Sequence, residues 1–312
     1  MTNTATLDPF VHPALFYRGD DQYVAGTVPF LLDGLAAGEP VAVAAPPDRL
    51  QLIRDGLDEH AEKVHFTDMT QAGRNPGRII PWVLRAFSDA HPAGSTGRVR
   101  IIGEPIWSGR TAAEYPACVQ HEALINQAFA GREVSILCPY DADKLDQRVL
   151  ADAWATHPLV IDEHGEAASQ YYRPEEIVAR YNQPLPQPPG AAHYQFAPAT
   201  LPQARHFAVE QGRQLGLSGL LLEDLALAVA ELTTNSVVHG AGSGTLRLWT
   251  EDEHIVCEVH DTGQLTDPLA GRRPAEPGKP GGRGLLMVNH LADLVRLHTS
   301  SSGTTIRIYL HR

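Results

Sequence analysis

The chain contains few cysteines and no long apolar run, and these two absences exclude whole classes of protein. Its 312 residues include three cysteines, far apart at positions 118, 138 and 257. An odd number of widely spaced cysteines does not form a disulfide framework and is typical of a reduced cytoplasmic protein. No run of 18 apolar residues occurs, so no membrane span is predicted. Residues 1–9 also lack the basic start and apolar stretch of a signal peptide.

Basic side chains are scarce as well. The chain has 25 lysines and arginines against 37 aspartates and glutamates, a net charge of −12. Most of that excess lies in residues 1–192, which hold 15 basic and 25 acidic residues, whereas residues 193–312 hold 10 and 12. A protein that binds nucleic acid directly needs a basic footprint, because it must neutralise phosphates. The sequence therefore predicts no direct contact with nucleic acid.

A proline-rich stretch divides the chain. Residues 182–192 contain four prolines in a short polar segment, which cannot continue a helix and is typical of a semi-rigid linker. A length of 312 residues also favours two domains. We therefore predict a first domain over residues 1–182, a linker over 183–192 and a second domain over 193–312.

The first domain alternates short apolar segments with helical patterns. Strands are predicted at Val41–Ala45, Val99–Gly103 and residues 134–138, and helices near 20–37, 48–60, 76–90 and 112–130. This alternation indicates an α/β domain with a mostly parallel sheet covered on both faces. Glu104 and Asp141 follow two of the strands, at the edge where such sheets bind ligands.

Cys118 and His121 are three residues apart on one predicted helix, with Cys138 elsewhere in the chain. The pair lies on one helix face, and Cys138 could complete a soft metal or redox site. The alternative interpretation is a buried cysteine beside a hydrogen-bonded histidine. The spacing alone does not decide between them, because a zinc site normally needs a second defined pair.

Residues 10–160 also resemble the MEDS sensory domain of methanogen and methylotroph regulators. The matching segments include His12-Pro-Ala-Leu-Phe-Tyr, Gly103-Glu-Pro-Ile-Trp, His121-Glu-Ala-Leu and Cys138-Pro-Tyr-Asp. The resemblance implies a RecA-like fold that senses a small-molecule signal. No Gly-Lys-Ser/Thr follows the strand at 41–45, so ATP hydrolysis is not expected in this domain. The candidate sensory residues are His12, Glu104, Cys118, His121, Cys138 and Asp141.

Three segments of the second domain carry the strongest functional signal. Glu231, Asn235 and His239 are four residues apart and share one face of a predicted helix over 219–239. An amide oxygen can hold Mg²⁺, and a carboxylate one turn away can take a proton. Asp261 then follows an apolar strand and precedes Thr-Gly263. A glycine-rich turn, Gly-Gly-Arg-Gly284, opens a further helix, where free N–H groups and the helix dipole favour phosphate.

In this order and spacing, the three segments resemble the ATP-binding module shared by sensor histidine kinases, gyrase-type ATPases and bacterial anti-sigma-factor serine kinases. The resemblance implies an α+β sandwich, with helices on one face of a mixed sheet, that binds ATP and Mg²⁺. Glu231 would be the general base and Asn235 the Mg²⁺ ligand. Asp261 would accept the adenine amino group. The residues assigned to the nucleotide are Asn235, His239, Asp261, Gly263, Gly282, Arg283, Gly284, Leu285 and Thr304.

The segment between the adenine and phosphate motifs, residues 264–280, is rich in proline, glycine and charge, and we expect a mobile lid there. It carries Arg272 and Arg273, which are candidate phosphate clamps together with Arg283. The sequence departs from the family here. The adenine motif usually reads Asp-x-Gly-x-Gly, but Leu265 stands at the second glycine.

Three uses of the module remain open. Anti-sigma-factor kinases sequester a sigma factor and phosphorylate a serine or threonine of an antagonist protein, and this is our first expectation. A non-catalytic anti-sigma or signalling adaptor is the second, since the adenine motif is incomplete. A sensor histidine kinase is the third, with His121-Glu122 a faint phosphoacceptor motif. The sequence leaves the specific partners, the signal and a homodimer undecided.

Overall fold

The computed structural model describes residues 8–91, 97–188, 190–275, 278 and 282–312. The chain forms two compact units. The first comprises the chain up to Arg74 together with Ile79–Tyr181, and the second comprises Asn182–Arg312 together with the short segment Asn75–Arg78. The division at residues 183–192 stays a prediction.

The first unit is built on a sheet that has seven strands within the described residues. In spatial order they run β3-β2-β4-β5-β1-β6-β7, and every neighbouring pair is parallel except β6 with β7. The strands are β1 (Pro13–Tyr17), β2 (Val41–Ala45), β3 (His65–Asp68), β4 (Val99–Gly103), β5 (Val134–Asp141), β6 (Leu159–Asp162) and β7 (Gly165–Ala168). The prediction of a mostly parallel sheet is confirmed, whereas the RecA-like assignment stays a prediction.

Within the described residues, six helices lie between these strands along the chain, and a seventh follows β7. They are α1 (Gly19–Ala36), α2 (Pro47–Leu57), α3 (Met69–Ala72), α4 (Arg85–Ala90), α5 (Tyr115–Phe129), α6 (Gln147–Thr156) and α7 (Pro174–Arg180). The single helix predicted near residues 76–90 is wrong. Pro76–Arg78 forms a 3₁₀ turn and Ile79–Leu84 a wider π-type turn before α4 begins. Pro81 lies inside that segment and has no N–H to give to a regular helix.

Two strands of this sheet, β2 and β5, are buried over their whole length. Every residue of β2 and of β5 is buried, and apolar side chains of α1 and α2 pack against the sheet. Parallel strands covered on both faces require such continuous apolar runs, and this is why 41–45 and 134–138 could be recognised in the sequence. The shorter strands β1, β3, β6 and β7 carry weaker signals and were not predicted.

The second unit is a five-stranded sheet with helices packed on one face. The strands run in the order β11-β12-β10-β9-β8, and each pairing is antiparallel. Their bounds are β8 (Ala192–Phe196), β9 (Gly244–Glu251), β10 (His254–Asp261), β11 (Leu294–Ser300) and β12 (Gly303–His311), with α8 (Leu201–Gln214), α9 (Gly219–Val238) and α10 (Gly284–Leu291). The predicted mixed sheet is therefore wrong. Two-residue turns join β9 to β10 and β11 to β12, and tight turns can only join antiparallel neighbours.

The proline-rich stretch of residues 182–192 contacts this second sheet, whose strand β8 begins at Ala192, the last residue of the predicted linker. The Asn182 side chain makes two hydrogen bonds with the Thr299 backbone. Asn182 Nδ2 donates to the Thr299 carbonyl at 2.8 Å, and the Thr299 N–H donates to Asn182 Oδ1 at 3.0 Å. The Pro186 carbonyl accepts from Arg307 Nη2 at 2.7 Å, and β8 begins at Ala192. At these described positions the proline-rich stretch is held by hydrogen bonds to β11 and β12.

The predicted lid contains no helix or strand at its described residues, 264–275 and 278. Residues 276, 277, 279 and 280 lie outside the described part of the chain, as does Gly281 of the glycine-rich turn. Arg273 pairs with Asp267 at 2.5 Å within this segment, while Leu269 is buried. No described helix is both long and apolar enough to cross a membrane.

Candidate functional site

The face of α9 that carries Glu231 and Asn235 meets the start of α10. A Cβ atom built on Gly284, the first residue of α10, would lie 2.6 Å from Glu231 Oε2 and 3.2 Å from Asn235 Nδ2. A side chain at position 284 would have to displace the ends of both of these side chains, so glycine lets α10 begin this close to them. The structure therefore places a carboxylate, an amide and the N-terminus of a helix side by side.

Gly282 and Arg283 complete the approach to α10. Gly282 has φ of +75°, a left-handed backbone conformation that glycine adopts without strain, and Arg283 is the residue before the helix. Leu285 follows Gly284 and packs against the core of the unit. The free N–H groups of the first turn and the dipole of α10 favour an anion at this end. The arrangement is suited to phosphate.

Asp261, the last residue of β10, is fixed by two hydrogen bonds. Ser236 Oγ of α9 donates to Oδ2 at 2.6 Å, and the Gly263 N–H donates to Oδ1 at 2.7 Å. A Cβ atom on Gly263 would lie 2.4 Å from Gly240 Cα, so a side chain there would clash with backbone. Each carboxylate oxygen retains a second lone pair. Asp261 is thus oriented in advance to accept a further donor.

Thr304 borders the same place from β12, where it is the register partner of Asp261. Its hydroxyl donates to the Gly263 carbonyl at 2.9 Å, and the Leu265 N–H donates to Thr304 Oγ1 at 3.2 Å. The residue that replaces the family's second glycine is thereby attached to the sheet edge. Its side chain lines the cavity without filling it.

These groups border one cavity of about 380 Å³, within the range of small-molecule sites. It is lined by polar groups from α9, β10 and β12 and by apolar groups between them. Among the residues assigned to the nucleotide from the resemblance, those that line it are Asn235, His239, Asp261, Gly263, Gly282, Gly284, Leu285 and Thr304. Glu231 lies beside the cavity through its contact with the Gly284 position. Ser236, which orients Asp261, was missed because a serine within an apolar helix gives no distinctive signal.

The arginines predicted as phosphate clamps have different surroundings. Arg273 lines the cavity and is paired with Asp267, so Arg273 would have to leave that ion pair to reach a phosphate. Arg283 is exposed at the start of α10. The clamp role of both residues, and that of Arg272, stays a prediction.

In the first unit, Glu104 and Asp141 lie at the carboxyl edge of the parallel sheet. Arg49 at the start of α2 pairs with Asp141 at 3.2 Å and with Asp20 at 2.7 Å, and its guanidinium lies over the Tyr23 ring. Tyr23 Oη in turn donates to Glu104 Oε2 at 3.2 Å. A buried network of charged and aromatic groups therefore occupies the edge at which ligands of such sheets bind. Neither Arg49 nor Tyr23 was predicted from the sequence.

Burial raises the pKa of Glu104 to about 8, against an opposing effect of the Arg49 charge and the Tyr23 hydrogen bond. Between about pH 4.5 and about pH 8 the folded unit holds a proton that the unfolded chain has lost, so stability falls as the pH rises. Glu104→Gln should remove this dependence. We expect the melting temperature of the wild-type unit to fall more than that of the variant between about pH 6 and about pH 9. Glu59→Gln, at an exposed position, is the control, and parallel profiles for Glu104→Gln and wild type would contradict the assignment.

The other sensory candidates separate into two sets. His12 and Cys138 lie together, with Glu122 and His157 as their neighbours. Cys118 and His121 are fully buried on α5 but stand outside this four-residue group. Cys138 thus lies in a cluster with other residues than the two named with it from the sequence, and a site made of Cys118, His121 and Cys138 stays a prediction. The helix places Glu122 rather than His121 against β5, because successive helical residues point about 100° apart.

Burial, and next the proximity of His157, lower the pKa of His12 to about 4, so its imidazole is neutral near neutral pH. The cysteine is equally sheltered: burial raises the pKa of the Cys138 thiol well above its ordinary value. Neither Glu122 nor His157 was singled out in the sequence. Glu122 directly follows His121, and the histidine was the residue chosen as the candidate in that segment. His157 has no motif that links it to His12.

Two family models match the chain. Residues 11–158 match MEDS, described as the methanogen/methylotroph, DcmR sensory domain. Residues 194–310 match the histidine kinase-like ATPase domain. Each match falls on one half of the sequence, and together they leave the proline-rich stretch between them.

The chain is also similar to a curated protein, the serine-protein kinase RsbW of Halalkalibacterium halodurans. The two are 33% identical over 94 residues, which is 26% of this chain and 57% of the relative. A solved structure of the RsbU and RsbW domains of a Mycobacterium tuberculosis protein aligns with a TM-score of 0.31 and 21% identity, over 41% of this chain and 33% of that one. With a TM-score this low, the likeness to that solved structure supports no conclusion about this chain. The two family matches, with the fold and the motifs in place, show that the chain joins a MEDS sensory domain to a histidine kinase-like ATPase domain.

Proposed function

We propose that the second domain binds ATP with Mg²⁺ and that the chain transfers the γ-phosphate to a serine or threonine of an antagonist protein. A sigma factor would be the protein that it sequesters, so that phosphorylation of the antagonist would control transcription. The observation that carries the proposal is the convergence of Glu231, Asn235 and the N-terminus of α10 on the Gly284 position. Similarity to a serine-protein kinase supports it.

The cavity suits a nucleotide at both ends. Asp261 presents a fixed acceptor to an amino group, and the start of α10 presents N–H donors to a triphosphate. The amide oxygen of Asn235 is a ligand that Mg²⁺ accepts in proteins, and bound Mg²⁺ would neutralise part of the phosphate charge. The described residues therefore fit ATP and its metal ion.

Glu231 would supply the proton acceptor. The acceptor hydroxyl oxygen attacks the γ-phosphorus, the bond from that phosphorus to the β–γ bridging oxygen breaks, and ADP leaves. The hydroxyl proton passes to Glu231. A positioned carboxylate can do this because it lies one helical turn from the metal ligand Asn235 on α9.

A non-catalytic adaptor is the second candidate, and Leu265 is the observation that favours it, since it replaces a glycine of the adenine motif. Activity distinguishes this candidate from the kinase. An adaptor would transfer no phosphate, whether it binds ATP or binds neither nucleotide nor metal. The histidine-kinase candidate is disfavoured because His121 is completely buried on α5 and cannot reach a phosphate in this conformation.

Asn235→Ala should remove the Mg²⁺-dependent part of ATP binding. Loss of a residue that supports a metal ion typically weakens metal affinity by about 10- to 100-fold, and we expect at least this effect from loss of a ligand. Calorimetry of the full chain should show ATP binding more tightly with Mg²⁺ than with a chelator, and this difference should vanish in the variant. Thr234→Ala, an exposed neighbour on α9, should behave as wild type. Full-length wild type that gives no heat with ATP under either condition would contradict the proposal.

The kinase step is tested with the full chain, labelled ATP and a small partner isolated from the native cytosol. Partners are compared with and without ATP, because a switch protein should change its partner with its nucleotide state. An acid-stable label on the partner supports transfer to serine or threonine. ATP binding with neither protein labelled would favour the adaptor.

A further inference from the structure

Four ligand-type side chains of the first unit converge in a fully buried position. His12 precedes β1, Glu122 lies on α5, Cys138 on β5, and His157 follows α6. The exposed fraction of each is 0 or 1%. Each of the four residues offers one atom that can bind a metal ion. These four atoms all lie within 4.8 Å of one another. Four elements of the unit thus contribute to one cluster.

Both histidine rings are held by their Nδ1 atoms. Asn126 donates from Nδ2 to the carbonyls of Glu122, Ala123 and Thr156, so its Oδ1 is left to accept from His12 Nδ1 at 3.1 Å. His157 Nδ1 lies 2.9 Å from the Ala153 carbonyl, which can only accept.

A neutral ring with a proton on Nδ1 presents a lone pair at Nε2. In both rings this lone pair points into the cluster. Such a second hydrogen bond, at the nitrogen away from the metal, is also what orients histidine ligands in metal sites.

Apart from the Cys138 thiol, which donates to Glu122 Oε2 at 3.6 Å, the interior of the cluster is then made of acceptors. Glu122 Oε2 lies 3.4 Å from Nε2 of His12 and 3.4 Å from Nε2 of His157. Among the described residues, Glu122 Oε1 and His157 Nε2 are buried without a hydrogen-bond partner. A carboxylate facing two nitrogen lone pairs in a dry interior is unfavourable unless a cation lies between them. The competing arrangement is an imidazolium that donates to Glu122 from Nε2.

The distances favour the cation. Zinc–ligand bonds of about 2.0–2.3 Å in a tetrahedron place the ligand atoms about 3.3–3.6 Å apart. His12 Nε2 lies 3.4 Å from Cys138 Sγ, and Cys138 Sγ lies 3.6 Å from Glu122 Oε2. With the two 3.4 Å distances from Glu122, four of the six edges already have tetrahedral length.

We propose that His12, Glu122, Cys138 and His157 bind one zinc ion in the first unit. Two imidazoles, a thiolate and a carboxylate suit Zn²⁺, whereas Mg²⁺ and Ca²⁺ require oxygen ligands. The thiol of Cys138 loses its proton to solvent on binding, so that the thiolate and the Glu122 carboxylate balance the two charges of the ion. Nothing in this site depends on the nucleotide-binding domain.

All four coordination positions come from buried protein groups, so the site is closed. A closed zinc site contributes to folding, whereas catalytic zinc keeps one position for water or substrate. The ion would join the segment before β1 to α5, β5 and the end of α6. We therefore expect the metal to stabilise the first unit as a whole.

The test uses the full chain, stripped with a chelator and reconstituted with zinc or with cobalt(II). Elemental analysis should give one zinc per chain, and the melting temperature should rise with the metal. Cobalt(II) should produce the strong visible bands of a tetrahedral site and a thiolate-to-cobalt charge-transfer band. The charge-transfer band should disappear in Cys138→Ser and persist in Cys118→Ser and Cys257→Ser, which remove equally buried thiols outside the cluster.

Three results would overturn the proposal: a folded wild-type chain that retains no zinc after reconstitution, a cobalt spectrum of octahedral type, or a charge-transfer band lost with Cys118 or Cys257 instead of Cys138. If Cys138→Ser fails to fold, competition between wild-type protein and a chromophoric zinc chelator still decides, because a site without affinity releases all zinc to the chelator.

Discussion

Replacing Glu231 by glutamine is expected to leave ATP binding intact and to abolish phosphoryl transfer. The amide has the shape of the carboxylate, and the close approach between residue 231 and Gly284 is therefore preserved. It cannot accept the proton of the attacking hydroxyl. Positioned general bases contribute roughly 10²–10⁴-fold to rate, so transfer should fall by about that factor.

The measurement is the rate of label transfer from ATP to the partner protein, with calorimetry of ATP on the same samples. Glu223→Gln is the matched control, because Glu223 is an exposed glutamate on the same helix. If the rate of phosphoryl transfer is unchanged in Glu231→Gln while ATP binding is preserved, Glu231 is not the general base. A simultaneous loss of binding would instead show that the carboxylate is needed to hold the site together.

The stability of the label separates the alternatives further. Serine and threonine phosphates survive acid, whereas phosphohistidine is lost in acid and survives base. A full chain that labels itself with an acid-labile phosphate when incubated alone would favour the histidine kinase. His121 would then have to leave its buried position on α5, and His121→Ala should remove that label.

The sequence was most informative where a backbone requirement coincides with a motif. Gly263 and Gly284 lie where a Cβ atom would meet Gly240 Cα at 2.4 Å or Glu231 Oε2 at 2.6 Å. A side chain at position 263 would clash with backbone, and one at position 284 would displace the Glu231 carboxylate, so the spacing of these glycines from Asn235 and Asp261 can be read along the chain. The buried parallel strands are likewise visible, because two covered faces require continuous apolar runs.

Other features depend on which segments meet in space. His12 and His157 are 145 positions apart, and only the pairing of β1 with β5 and β6 brings their rings to a centroid distance of 4.1 Å. No local pattern encodes that distance. The strand β8 was not predicted for a different reason. It is a short edge strand that begins at Ala192, just after a proline-rich stretch, and nearby prolines argue against a strand.

A buried charge network on β10 gives the largest effect on stability that we expect. Glu258 is completely buried and is the register partner of Arg247 on β9 and of Arg307 on β12. Arg307 donates to its Oε2 at 2.7 and 3.1 Å, and Arg247 to its Oε1 at 3.3 Å. Arg307 also donates to the Pro186 carbonyl. The Glu258 carboxylate therefore connects β10 with β9 and β12, and through Arg307 also with the segment before β8.

Glu258→Gln should therefore destabilise the second unit by about 3–5 kcal/mol, because it leaves Arg307 buried without a counter-charge. Urea denaturation combined with hydrogen exchange of the β10 and β12 amides localises the loss to this sheet. The control is Glu210→Gln, which breaks an exposed pair with Arg213 and should cost less than about 1 kcal/mol.

A double variant then separates charge from packing. Glu258→Leu with Arg307→Met removes both charges while retaining apolar bulk, and exchanges of this kind are often neutral or stabilising. We expect it to recover most of the stability that Glu258→Gln loses. If the double variant is as unstable as the single one, the bonds to Pro186 and Arg247, and not the unpaired charge, hold this side of the sheet together.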